Sequence, residues 1–171
     1  MKHFAIFSVL MIAAAVLIAG CGKSDEFKKL ESDMYASVTA MHDDGMSLMS
    51  KGSDLSAKID DAIAMYDSMA AKYPKQFEGQ SSDDLKAAKE KLSAATTSMK
   101  KWMSEMKPYD PTMDHVQAMA QLTNAKDGVT KVKADFQDAI NAATTALISH
   151  KAFAEDMATK LATGVKKVAK K

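Results

Sequence analysis

The stretch FKKLESDMYASVTAMHDDGMSL, residues 27–48, decides the fold. Phe27, Met34, Met41 and Leu48 recur every seven residues, and Leu30 and Val38 fill the turns between them. Seven residues make almost two turns of α-helix, so these side chains share one face and predict a seam of coiled-coil type. Ser24 is placed to cap the helix, and Asp25 and Glu26 bring negative charge to a first turn where the helix dipole favours it. The same phase runs on through Leu55, Ala62 and Met69, flanked by Ile59, Tyr66 and Tyr73. Gly52-Ser53 interrupts the composition but not the register. That favours one long helix to Tyr73, with a turn at Gly52 as the alternative.

Outward from this segment the chain stays helical in character. Tyr73-Pro74 ends the first helix, and residues 74–80, including Gly79, read as a loop. Ser82 is expected to cap a second helix that turns Leu85, Leu92, Met99, Met103 and Met106 inward. Pro108-Tyr109-Asp110-Pro111 forms a rigid turn, after which Thr112 is expected to cap a third helix. Its inward set is Val116, Met119, Leu122, Val129, Val132, Phe136, Ile140, Ala143 and Leu147. The alternation of β-branched and aromatic residues that marks strands is missing. The expected fold class is all-α: an antiparallel three-helix bundle of long helices, 25–73, 82–107 and 112–163, or four helices if Gly52 is a turn. The domain is then 25–163, and 164–171, with Lys166, Lys167, Lys170 and Lys171, reads as a basic, solvated C-terminal tail.

At the other terminus Lys2 precedes an apolar run from Phe4 to Ile18, too short and wrongly flanked for a spanning helix. Ile18-Ala19-Gly20-Cys21 closes it. This resembles the lipobox of bacterial lipoprotein signals. The resemblance implies that 1–20 is a signal peptide, that Cys21 is diacylated on sulfur and becomes the first mature residue, and that 21–24 is a lipidated tether. Gly22 after the cysteine, in place of Asp, implies the outer membrane of a bacterial cell envelope. An ordinary secretory signal with a coincidental cysteine is the competing reading.

Charge and composition exclude other classes. The chain carries 23 basic and 22 acidic residues, and without Lys2 the two signs balance. A neutral domain has no field for capturing nucleic acid. Every basic residue is lysine, so the forked donors that read phosphate or guanine bidentately are missing. Cys21 is the only cysteine; once acylated, it leaves no thiol for a disulfide, a thiolate metal site or a nucleophile.

Methionine is the unusual component, at 14 residues, of which Met34, Met41, Met69 and Met99 fall on core stripes. His42, Met46 and Met49, at i, i+4 and i+7, share another face of the first helix. Met103 and Met106 end the second helix beside Trp102, and Met113 and His115 begin the third. Either topology gathers these seven residues at one end of the bundle. Thioether and imidazole without thiolate suit Cu(I), which makes copper the candidate cofactor, with Trp102 as a shield. Zinc, using His42 with Asp43 or Asp44 and His115 with Asp114, fits less well. The competing reading is that the methionines pack and the histidines are surface residues.

The same region bears a family resemblance. Met41-His42-Asp43-Asp44-x-Met46-x-x-Met49, then Met99-x-x-Trp102-Met103, then Lys131-Val132-Lys133-x-Asp135 are similar to small helical bacterial lipoproteins labelled "viral A-type inclusion protein". The similarity covers about residues 38–148, and that group has no established activity to carry over. Gly45 departs from it, at a position where a larger residue is expected.

No catalytic motif is present: no G-x-S-x-G, no H-E-x-x-H, no P-loop. His150, beside Lys151, reads as a surface residue. The expected function is that of a membrane-anchored envelope lipoprotein, a non-enzymatic helical bundle with a structural or interaction role. Its partners are the membrane, through lipid on Cys21, and another protein or a second copy of itself. The alternative is a periplasmic Cu(I)-binding protein.

Overall fold

The computed structural model describes residues 23–168, with side chains through residue 160. Cys21, the lipobox and residues 169–171 lie outside the described residues. Helix α1 spans Asp25–Lys72, a 3-10 turn covers Pro74–Gln76, α2 spans Asp83–Glu105 and α3 spans His115–Val168. The fold is an all-α three-helix bundle. Gly52 lies inside α1, so the four-helix alternative is not what forms.

Consecutive helices run antiparallel, which makes α1 and α3 parallel. Glu31 bonds His115, 84 residues further on. The same separation recurs where Gly52 meets Phe136 and where Tyr66 meets His150. A constant offset of twelve heptads means the two helices track each other without slipping. At 1.5 Å per residue α1 is about 72 Å long and α2 about 35 Å. The shorter α2 therefore covers only the middle of the α1–α3 pair, from Asp84 beside His150 to Met103 beside His42.

The predicted period is correct in α1, but its centre is displaced. The buried residues are Glu31, Val38, Gly45, Gly52, Ile59 and Tyr66, one every seven. The predicted seam of Met34, Met41, Leu48, Leu55, Ala62 and Met69 is only half-buried and flanks this line, while Phe27 and Leu30 are 44% and 49% exposed. The reason is steric. A Cβ on Gly52 would stand 3.4 Å from Leu92 and 3.5 Å from Phe136, and one on Gly45 would collide with the Met99 methyl. The small residues let α2 and α3 close onto α1, so the departure at Gly45 seats Met99.

Facing this line, α2 buries Leu85, Ala88, Leu92, Ala95 and Met99, whereas Met103 is 36% exposed. In α3 the expected Leu122, Val129, Val132, Phe136, Ile140 and Ala143 are buried, while Met119 and Leu147 are half-buried. Val116 is 73% exposed because α3 begins at His115, not 112, and its first turn points Val116 outward.

The caps explain the boundaries. Ser24 caps α1 as expected, its hydroxyl accepting from the Phe27 N–H at 3.3 Å. Ser82 holds the cap position of α2 without a side-chain cap bond; the Ser81 hydroxyl accepts from the Asp83 N–H instead. Thr112 is not a cap. Its N–H and hydroxyl both donate to the Asp110 carboxylate, which holds that carboxyl below its ordinary range, and Asp114 takes the capping role by accepting from the N–H groups of Val116 and Gln117. At its other end α3 continues to Val168, past the expected boundary at 163.

Gly79, with φ of 75°, lets the loop after α1 turn back, and Phe77 packs edge-on against Tyr66 at 5.0 Å and Phe153 at 5.1 Å. Among the described residues no helix is long and apolar enough to cross a membrane.

Two glycine substitutions separate helix propensity from packing. Gly52→Ala places its methyl at ordinary contact distance and is expected to raise the unfolding free energy measured by urea titration by about 0.5–1 kcal/mol through helix propensity. In Gly128→Ala the methyl would fall 2.6 Å from the Trp102 ring, which is rigid, so the variant is expected to lose about 1–3 kcal/mol. Equal shifts in the two variants would contradict this packing.

Candidate functional site

The end of the bundle near the N-terminus holds two adjoining groups of polar side chains. The first centres on Glu31, whose side chain is fully buried. Its position continues the heptad line of Val38 and Gly45, so the helix carries the carboxylate inward. Three donors meet it: Lys23 Nζ at 2.7 Å, Tyr109 Oη at 2.6 Å and His115 Nδ1 at 2.8 Å. Phe27 stacks on His115 with centroids 4.0 Å apart, and Tyr35 packs on Tyr109 at 5.3 Å.

Burial alone would raise the Glu31 pKa. The hydrogen bonds from Lys23, Tyr109 and His115, with the Lys23 charge, outweigh it and bring the carboxyl from 4.5 down to about 2. The reciprocal effect appears at Tyr109, where the bond to Glu31, then burial and the neighbouring carboxylates, push the phenol up to about 12. Glu31 thereby ties together the segment before α1, α1 itself, the loop between α2 and α3, and the start of α3.

The second group lies one to three turns along α1. His42 Nε2 is 3.4 Å from the Met103 sulfur, and His42 Nδ1 is 3.3 Å from the Asp43 carboxylate. Trp102 stacks beside the imidazole with centroids 5.7 Å apart. The indole is fixed from behind, since its N–H donates to the Ala125 carbonyl at 3.0 Å and its ring fills the space left by Gly128. Met106, Tyr35, Val38 and Pro108 complete a groove of about 290 Å³ with these residues.

The seven sequence-predicted ligands thus separate. His42, Met103 and Met106 come together in this groove. Met46 and Met49 line a different groove, of about 660 Å³, together with Gly52, Ser53 and Lys89, and Met49 also packs on the main core. His115 is committed to Glu31, and Met113 sits half-buried in the loop before α3. The helical spacing of His42, Met46 and Met49 is real, but along the α1–α2 contact His42 opens onto one groove and Met46 and Met49 onto another. Among the described residues no group of three or more His, Cys, Asp or Glu side chains could hold a metal ion, which removes geometric support for the zinc alternative.

His150 is not a simple surface residue. Its side chain is 12% exposed, bonds Asp84 at 2.7 Å and packs edge-on against Tyr66. Tyr66 is buried with an unpartnered hydroxyl; burial, then the charges of Asp67, Asp83 and Asp84, raise its pKa. Sequence reading also missed Glu31. The available signal was its place on the Val38–Ile59–Tyr66 heptad line, hidden because glycines occupy two positions of that line.

No family model, no curated protein and no solved structure matches the chain.

Glu31 gives a pH prediction. Its folded-state pKa is depressed, so its stabilisation is complete above the ordinary value of 4.5 and is lost as pH falls from there toward about 2. Glu31→Gln is expected to cost on the order of 2 kcal/mol at neutral pH and to flatten the acid limb of stability between those values. Denaturant titrations at stepped pH check this. Parallel acid limbs in wild type and variant would contradict it.

Proposed function

We propose that the chain is a membrane-anchored lipoprotein of the bacterial envelope, a non-enzymatic helical bundle held by lipid on Cys21. The observation that carries the reading is the lipobox Ile18-Ala19-Gly20-Cys21, placed two residues ahead of a lysine that is locked onto the bundle. The two residues from Cys21 to Lys23 span at most about 7 Å. An anchor on Cys21 would therefore leave the bundle at its Glu31 end and turn that end toward the lipid.

The surface at this end fits such a position. Phe27, Leu30 and Val116, among the most exposed large apolar side chains of the described residues, lie here, where water contact is costly and a bilayer interface would relieve it. A structural or interaction role is supported by the way polar groups are used: Glu31 is held by three donors, His150 is paired with Asp84, and the Trp102 N–H is spent on a backbone carbonyl. Helices about 70–80 Å long would hold the far end well away from the membrane.

Expression of the full chain in a Gram-negative host, followed by mass spectrometry of the detergent-extracted protein, tests the reading. The expected product begins at Cys21 and carries diacylglycerol on its sulfur, and Cys21→Ala abolishes the modification and release from the precursor. A mature chain with a free Cys21 thiol, or one cleaved elsewhere, would overturn it.

A further inference from the structure

We propose that His42, Met103 and Met106, with Trp102 beside them, form a binding site for one soft monovalent cation of the Cu(I) class. The site does not depend on acylation of Cys21.

Asp43 accepts from Nδ1, so in the neutral imidazole Nδ1 carries the proton and Nε2 presents its lone pair. Nε2 points at the Met103 sulfur, and a thioether has lone pairs but no proton to give. Two electron-pair donors thus face each other at 3.4 Å, an arrangement that a cation between them satisfies. With metal bonds of about 2.0 Å to imidazole and about 2.3 Å to sulfur, that separation corresponds to an N–metal–S angle of about 104°, close to tetrahedral. The carboxylate on the far nitrogen is also the partner that orients and strengthens a metal-bound histidine.

The donor set then selects the ion. Among the described residues the groove is lined by two thioethers, one imidazole and the Thr39 and Tyr35 hydroxyls, with no thiolate or carboxylate in its lining, and the thioether–imidazole set is soft and neutral. It suits Cu(I) over zinc, which takes thiolate, imidazole or carboxylate, and over hard cations, which take oxygen. The indole face lies against the same imidazole and is held by Ala125 and Gly128, so it shields the ion and attracts positive charge. Val38, Tyr35, Thr39 and Pro108 complete the walls of the groove. Met46, Met49, Met113 and His115 belong to other surroundings and are not ligands.

The test is anaerobic titration of the full chain carrying Cys21→Ser, which removes the competing thiol, with Cu(I) against a chromophoric Cu(I) chelator. Trp102 is the only tryptophan, so its fluorescence reports on the site. One equivalent is expected to bind and to quench that emission. His42→Ala and Met103→Leu are each expected to weaken binding by roughly 100-fold or more, while Met46→Leu and Met113→Leu leave it unchanged. Thermal melts of the metal-free variants verify that each is folded. Binding spread over several equivalents, an unquenched Trp102, or equal losses in all four variants would overturn the proposal.

Discussion

The close parallel approach of α1 and α3 is the constraint on which the rest of this bundle depends. At the centre of the α1 seam Gly52 lies against Phe136 of α3 and Leu92 of α2, while Gly45 leaves the gap that Met99 of α2 fills. Glycine inside a helix costs about 1 kcal/mol relative to alanine, and packing of the large residues that fill the gap offsets it. The 84-residue offset along α1 and α3 is shared by Gly52 with Phe136, Glu31 with His115 and Tyr66 with His150. Once that register is set, Glu31 falls beside His115 at one end and Tyr66 beside His150 at the other.

The two ends then differ in character. At the far end the closure is mostly aromatic, through Tyr66, Phe77 and Phe153. At the near end it is ionic, with a buried carboxylate gathering Lys23, Tyr109 and His115. A buried charge is costly unless it is paired and hydrogen-bonded, and here three donors meet it. Its value lies in specificity as well as in stability: it fixes the direction in which the chain enters α1, and hence the face that an anchor on Cys21 would turn to the lipid.

Much of the fold was legible in the sequence because long helices repeat their signal. The unbroken phase across Gly52, the break at Tyr73-Pro74 and the Pro108–Pro111 turn all mark real boundaries to within a few residues. The displaced centre was not legible, since Gly45, Gly52 and Glu31 carry no apolar signal at the most buried positions. The candidate site was legible in part. Spacing puts His42, Met46 and Met49 on one face, and Trp102 and Met103 side by side, but it cannot say that the face opens onto two separate grooves. His115 looked like a ligand and is a structural partner; His150 looked free and is paired. Each error has the same source, because the partner lies more than sixty residues away and depends on helix register.

The central claim is that the Glu31 end of the bundle faces the membrane. Paramagnetic relaxation by a spin-labelled lipid, measured by NMR on the acylated protein in nanodiscs, tests it most directly. The account predicts strong broadening at Phe27, Leu30, Val116 and the 108–114 loop, and none at Phe77 or Gly79. Comparable broadening at both ends, or broadening confined to the Phe77 end, would contradict it.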